Sequence, residues 1–187
     1  MITKFLGRKG TWREVADAAN ETIGKDAGTK EPSSSWKKRM LLCEHSPIRL
    51  LSFKVRWQGI KYWVSQHLCR HWVGIVHFVK TQRTDRTGID RNKEPQDAPV
   101  NYTFDGTAQS LINVSRRRLC FQASPETRDA WIEFLEDMRD EEPEMFSACV
   151  PDCVYRGYCY EYKCCGWFRS ADYTLALEKY REVLTGR

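Results

Sequence analysis

The stretch LSFKVRWQGIKYWVSQHLCRHW, residues 51–72, carries two periodicities back to back. Leu51, Phe53, Val55 and Trp57 alternate with Ser52, Lys54, Arg56 and Gln58, the period of two expected of a strand with one buried face. Gly59 is expected to end that strand. From Lys61 the spacing lengthens, with Val64, Leu68 and Trp72 at every fourth position, which predicts an amphipathic helix over residues 61–72. A strand running straight into a helix is the unit around which the remaining segments are arranged.

Toward the C-terminus, residues 76–83 read as a short strand or loop, and residues 84–99 (TDRTGIDRNKEPQDAP) as a polar, turn-rich, mobile loop. Residues 100–104 read as a strand. Ala108, Leu111, Ile112, Ser115 and Leu119 share one face of a helix over 107–119, and Ser124-Pro125 supplies an N-cap with proline at the first helical position for a helix to about residue 140. Toward the N-terminus, Thr11-Trp12-Arg13-Glu14 is a capping-box pattern opening a helix to about Ile23. Residues 24–34 form a polar loop, Ser35 caps a short helix over 36–44, and Pro47 bars its continuation. Tyr173, Ala176, Leu177, Tyr180 and Leu184 mark a last helix. Helices and strands do not alternate regularly, so the class is α+β.

The 187 residues suffice for one domain with a real core. With 41% hydrophobic and 29% charged residues the composition is that of a soluble globular chain. A net charge of +5 suits an anionic ligand such as a nucleotide phosphate and falls short of a nucleic-acid coat. No apolar run reaches the ~18 residues needed to cross a bilayer. The opening residues MITKFLGRKGTWREV lack a secretory apolar stretch, so the expected location is cytoplasmic and no membrane partner is expected.

Two helices carry candidate chemistry. On the 61–72 helix, His67, Arg70 and His71 fall within about 100° of one another, an arrangement that can cradle an anionic cofactor or be an ordinary wet face. On the 107–119 helix, Arg116 and Arg117 lie on the polar side with Gln109 and Asn113. Arg118 falls about 20° from Leu111, at the edge of the apolar stripe. A guanidinium leaning inward either finds a partner or snorkels back to water.

These residues, in order, resemble the flavin-dependent thymidylate synthases, the ThyX family. Glu44-His45 precedes the strand, Arg70-His71 ends the helix, Thr81-Gln82-Arg83 follows, and Ala108-Gln109-Ser110-Leu111-Ile112-Asn113 with Arg118 five residues on is similar to a later family helix. The shared order spans roughly residues 43–135. The resemblance implies a mixed sheet with flanking helices over residues 1–148, with the Cys-rich segment and terminal helix of 149–187 packed on the same domain. It implies FAD, dUMP and methylene-tetrahydrofolate as ligands, NADPH as a source of electrons, methyl transfer at the C5 position of a pyrimidine nucleotide, and a homotetramer with sites shared between subunits. Matched by position, His45, Arg70, His71 and Asn113 contact flavin. Thr81 and Arg83 hold the nucleotide phosphate, and Arg118 sits on the uracil ring as the catalytic residue.

Five of the eight cysteines crowd between Cys149 and Cys165. With no export signal they read as reduced thiols or as metal ligands. Cys149, Cys153, Cys159 and Cys165 could close a tetrahedral zinc site, or three or more of the thiols an iron–sulfur cluster. Two alternatives stand beside a flavoenzyme. Trp72 and Ile75 occupy positions where the family signature has Arg and Ser, and one family helix is absent, which favours a binding or regulatory protein without turnover. A nucleic-acid module using Ser115-Arg116-Arg117-Arg118 ranks last, because the basic run is short and acidic stretches interrupt the chain.

Overall fold

A computed structural model describes residues 1–182; of the positions expected in the last helix, Leu184 lies outside them. The elements run β1 (Ile2–Lys9), α1 (Trp12–Glu21), α2 (Ser34–Leu42), β2 (Ser52–Lys61), α3 (Tyr62–Cys69), β3 (Ile75–Val79), α4 (Thr84–Thr87), β4 (Pro99–Thr107), α5 (Ala108–Arg118), α6 (Pro125–Met138), α7 (Pro143–Ala148), α8 (Asp152–Arg156) and α9 (Ala171–Arg181). The four strands form one sheet in the order β1-β2-β4-β3, and every pairing in it is antiparallel.

The alternation in β2 has the predicted consequence. Phe53, Val55 and Trp57 point into the core with Tyr102 and Phe104 of β4, while Lys54 and Arg56 point to the other face. Gly59 does not end the strand. It takes a positive φ of 74° where the β2–β4 register shifts between Trp57 and Ile60, a bulge after which pairing resumes to Lys61. The buried face packs on α3, α5 and α6. The Trp57 ring stacks on Tyr102 at 5.2 Å and meets Phe134 of α6 edge-on at 6.0 Å. Its Nε1–H donates to the Ala130 carbonyl at 3.1 Å, so the burial leaves no indole donor unpaired. Trp131 of α6 likewise donates to Ser115 Oγ of α5 at 2.9 Å.

β1 was not legible as a strand. It lies at the sheet edge, where Phe5 alone is buried among Lys4, Arg8 and Lys9, so periodicity is weak. The 84–99 segment holds the short α4. The capping box of α1 forms as expected, with Thr11 Oγ1 accepting from Glu14 N–H at 3.1 Å. Ser33, rather than Ser35, caps α2. The C-terminal segment packs on α5: Cys149 lies in the hydrophobic core, and Arg116 of α5 stacks over the Tyr155 ring of α8 at 3.5 Å.

Trp57→Ala removes the ring shared by β2, β4 and α6 and is expected to cost about 3–5 kcal/mol of unfolding free energy. Phe78→Ala, on the open face of β3, is expected to stay within about 0.5 kcal/mol. Urea unfolding of the two variants checks the contrast.

Candidate functional site

The helix predicted over 61–72 ends at Cys69, with Arg70 as its C-cap. His71 and Trp72 therefore belong to a turn, and Trp72 is 73% exposed rather than part of the apolar stripe. Gly74 closes the turn at φ 70° and passes so near α5 that a Cβ there would come within 2.6 Å of Ser110 Oγ. Ser110 Oγ donates to the Val73 carbonyl at 2.8 Å, and the Thr107 N–H donates to the Gly74 carbonyl at 3.0 Å. The serine of the Ser110–Asn113 motif thus pins the 70–74 turn against the start of α5.

That pinning places Arg118, at the far end of α5, beside the same turn. Its Nε–H donates to His71 Nε2 at 2.9 Å and its Nη2 donates to the His67 carbonyl at 2.6 Å. Since the guanidinium can only donate, His71 Nε2 is unprotonated and the ring is neutral with its proton on Nδ1. Burial first, then the Arg118 charge, lowers the His71 pKa to about 4. His67 is lowered by burial and by the charges of Arg118 and Arg70, and its Nδ1 lies 3.1 Å from Thr127 Oγ1 of α6. Burial and the nearby Arg70 also lower Arg118. Among the described residues no carboxylate pairs with Arg70 or Arg118.

A third imidazole, not anticipated from the sequence, extends the cluster. His77 of β3 lies 2.7 Å from the His71 carbonyl through Nε2 and 2.7 Å from the Tyr102 hydroxyl through Nδ1. The carbonyl accepts only, so Nε2 carries the proton and a neutral ring accepts from Tyr102 at Nδ1. The signal available in the sequence was its place in a strand pattern facing inward, which reads equally as core.

The remaining expected residues lie elsewhere. Asn113 is exposed on the other side of α5, accepting from Gln109 and Arg116, both at 3.4 Å. Arg116 is not the solvated residue its helical phase suggested: its side chain is 15% exposed and forms an ion pair with Glu44, which also accepts from Gln109. Glu44 adopts a left-handed φ of 50°, and the neighbouring His45 holds a buried Nδ1 with no partner. Arg83 turns its guanidinium onto Asp85, at 3.0 and 2.7 Å, and is exposed. Thr81 Oγ1 accepts the Arg83 N–H at 3.2 Å. Among the described residues no hydrogen bond or ion pair links the Arg70–His71–Arg118 group to the Thr81–Arg83 turn.

The thiol set expected to hold a metal is not assembled. Cys149 is buried beside Ser115, and burial pushes its thiol up to about 12. Among the described residues no three His, Cys, Asp or Glu side chains are grouped at a metal ion's distance. Cys153, Cys159 and Cys165 do share one small cavity, with Cys120 from the turn after α5 in place of Cys149. Among the described residues no helix is long and apolar enough to cross a membrane.

The sequence matches no family model and no curated protein. Solved structures do match in fold. Flavin-dependent thymidylate synthase ThyX from Helicobacter pylori, complexed with FAD and dUMP, superposes with a TM-score of 0.66 at 12% identity, covering 80% of this chain and 100% of that one. The UMP/dUMP methylase PolB from Streptomyces cacaoi, bound with 5-Br dUMP, gives 0.62 at 12% identity, covering 79% and 93%. The chain has the ThyX fold.

Because His71 titrates lower in the fold than in the unfolded chain, the unfolded state binds more protons between about pH 6.5 and pH 4. Its contribution to stability is complete above about 6.5 and is expected to be lost as pH falls through about 4. His71→Gln, which keeps a neutral acceptor for Arg118, is expected to flatten that part of the profile. Urea unfolding at a series of pH values measures it.

Proposed function

We propose that the chain binds a pyrimidine nucleotide together with FAD and carries out a dUMP-type one-carbon transfer at C5. The observation that carries this reading is Arg118, half-buried at the edge of the core with no carboxylate partner, next to Arg70 and two imidazoles of lowered pKa. Two cations without a counter-charge, flanked by neutral rings, suit an anionic ligand with a flat polar ring. The bonds Arg118 makes within the chain use Nε and Nη2, which leaves Nη1 to donate to a ligand oxygen.

The residues also fit a flavin nucleotide. His45 holds an unsatisfied buried Nδ1, and Arg70 is an exposed cation available to a phosphate. FAD in its reduced form supplies the one-carbon and hydride chemistry, with methylene-tetrahydrofolate and NADPH as sources of carbon and electrons. In this reading His71 stays neutral so that Arg118 keeps its orientation, and Arg118 polarises the pyrimidine ring by fixed charge. Thr81 and Arg83 hold the nucleotide phosphate once Arg83 leaves Asp85. Their separation from Arg118 in one chain, and the surface position of Arg70, support a site completed by a second copy in a homotetramer of the cytoplasm.

A second reading rests on Arg83 and Trp72. Arg83 is closed onto Asp85, and an exposed Trp72 stands where the family signature has an arginine. Both favour a protein that binds nucleotide without turnover.

FAD titration followed by flavin fluorescence, together with dUMP titration by calorimetry, tests the proposal. Saturable binding of both is expected. Arg118→Ala and Arg70→Ala are each expected to weaken nucleotide binding about 10- to 100-fold, the loss of one charge-assisted hydrogen bond. Arg70→Ala, exposed, does so without loss of fold. An unchanged fluorescence and melting temperature with excess FAD sinks the flavin reading. Nucleotide binding with no methyl transfer selects the second reading.

A further inference from the structure

The cavity lined by Cys120, Cys153, Cys159 and Cys165 plays no part in the nucleotide site. It measures about 20 Å³, room for one water-sized or ion-sized occupant and too little for an iron–sulfur cube. Its four thiols come from three separate places in the chain: the turn after α5, the first turn of α8, and the segment between Gly157 and Gly166, which has neither helix nor strand. Aromatic rings of Phe121, Trp167 and Phe168 wall it off.

Backbone N–H groups are aimed at the sulfurs. The Gln122 N–H, two residues beyond Cys120, lies 3.5 Å from its Sγ. The Glu161 N–H, two residues beyond Cys159, faces that sulfur in the same way, and the Val154 N–H faces Cys153. Such donors partly offset burial, which is the larger effect and raises the Cys120, Cys153 and Cys159 thiols. Arg117 and Glu161, paired at 3.1 Å, stand beside Cys120 as a neutral ion pair.

We propose that Cys120, Cys153, Cys159 and Cys165 take up a single zinc ion that ties the turn after α5 to the C-terminal segment. The sulfurs do not yet stand around a common centre in this structure. Binding draws them together, as is usual where metal binding completes local folding. Four thiols lose four protons to water, and Zn²⁺ with four thiolates forms a tetrahedral complex of net charge −2, with no change of oxidation state. The ion supplies what this segment lacks in apolar burial: Tyr158, Tyr160 and Tyr162 around it are all exposed. Cys164, which does not line the cavity, stays outside the ligand set.

Elemental analysis of the full chain, purified without chelator and after zinc loading and desalting, tests the site. One zinc per chain is expected, with four cysteines besides the core-buried Cys149 shielded from a thiol reagent until a chelator removes the metal. Cys159→Ser and Cys165→Ser are expected to lose the metal, whereas Cys43→Ser and Cys164→Ser keep it. Should the ligand variants fail to fold, cobalt loading of the unaltered chain decides: charge-transfer and ligand-field absorption of tetrahedral Co²⁺ with four thiolates supports the site. Cys120, Cys153, Cys159 and Cys165 left freely reactive after zinc loading, or a cobalt spectrum of an ion held only by water and oxygen, overturns it.

Discussion

The indole of Trp57 holds this molecule's architecture together. It lies on the inner face of β2, stacks on Tyr102 of β4, packs against Trp131 and Phe134 of α6, and donates to the Ala130 carbonyl. Two strands and a helix are thereby fixed by one buried side chain whose polar atom is satisfied. Trp131 passes the constraint on to α5 through Ser115. Once α5 is anchored at its middle by that bond and at its start by the Thr107, Ser110 and Gly74 contacts, the position of Arg118 follows. The candidate site is a consequence of how the sheet and helices are clamped.

Electrostatically the site is arranged to stay positive. Arg118 bonds to a neutral imidazole and a carbonyl, neither of which cancels its charge, and Arg70 lies near enough to depress it further. Protonating His71 would remove an acceptor and place a cation against a cation, which is why burial and Arg118 together hold its pKa down. A structural arginine at the edge of a core is usually met by a carboxylate, as Arg116 is by Glu44 on the same helix. The contrast on α5 is between a guanidinium closed in an ion pair and one whose partners are neutral.

The C-terminal segment follows a different rule. Apart from Cys149, Val154 and Tyr173 its described residues bury little, and its rings meet at the surface, as in the Tyr158–Phe168 pair and the contact of Trp167 with Phe121. Such a segment has too little apolar burial to offset the entropy of ordering it, so cross-links of another kind carry weight there: the Arg116–Tyr155 stack, the Arg117–Glu161 pair and the shared thiol cavity.

Local sequence determined the α+β class, the alternation of β2, the capping box of α1, the boundaries of α5 to within a residue, and the inward lean of Arg118, because each depends on periodicity or on a neighbour three or four residues away. The resemblance in motif order pointed to the ThyX fold for the same reason: helix and strand succession survives where identity does not. Tertiary structure alone decided the rest. The edge strand β1 has only Phe5 to bury, so no pattern announces it, and it exists because β2 offers a free edge. His71 meets Arg118 across 47 residues, His77 joins through the sheet, and Cys120 replaces Cys149 in the thiol cavity. None of these follows from spacing along the chain, because each depends on how far two separately formed elements are brought together when the core closes.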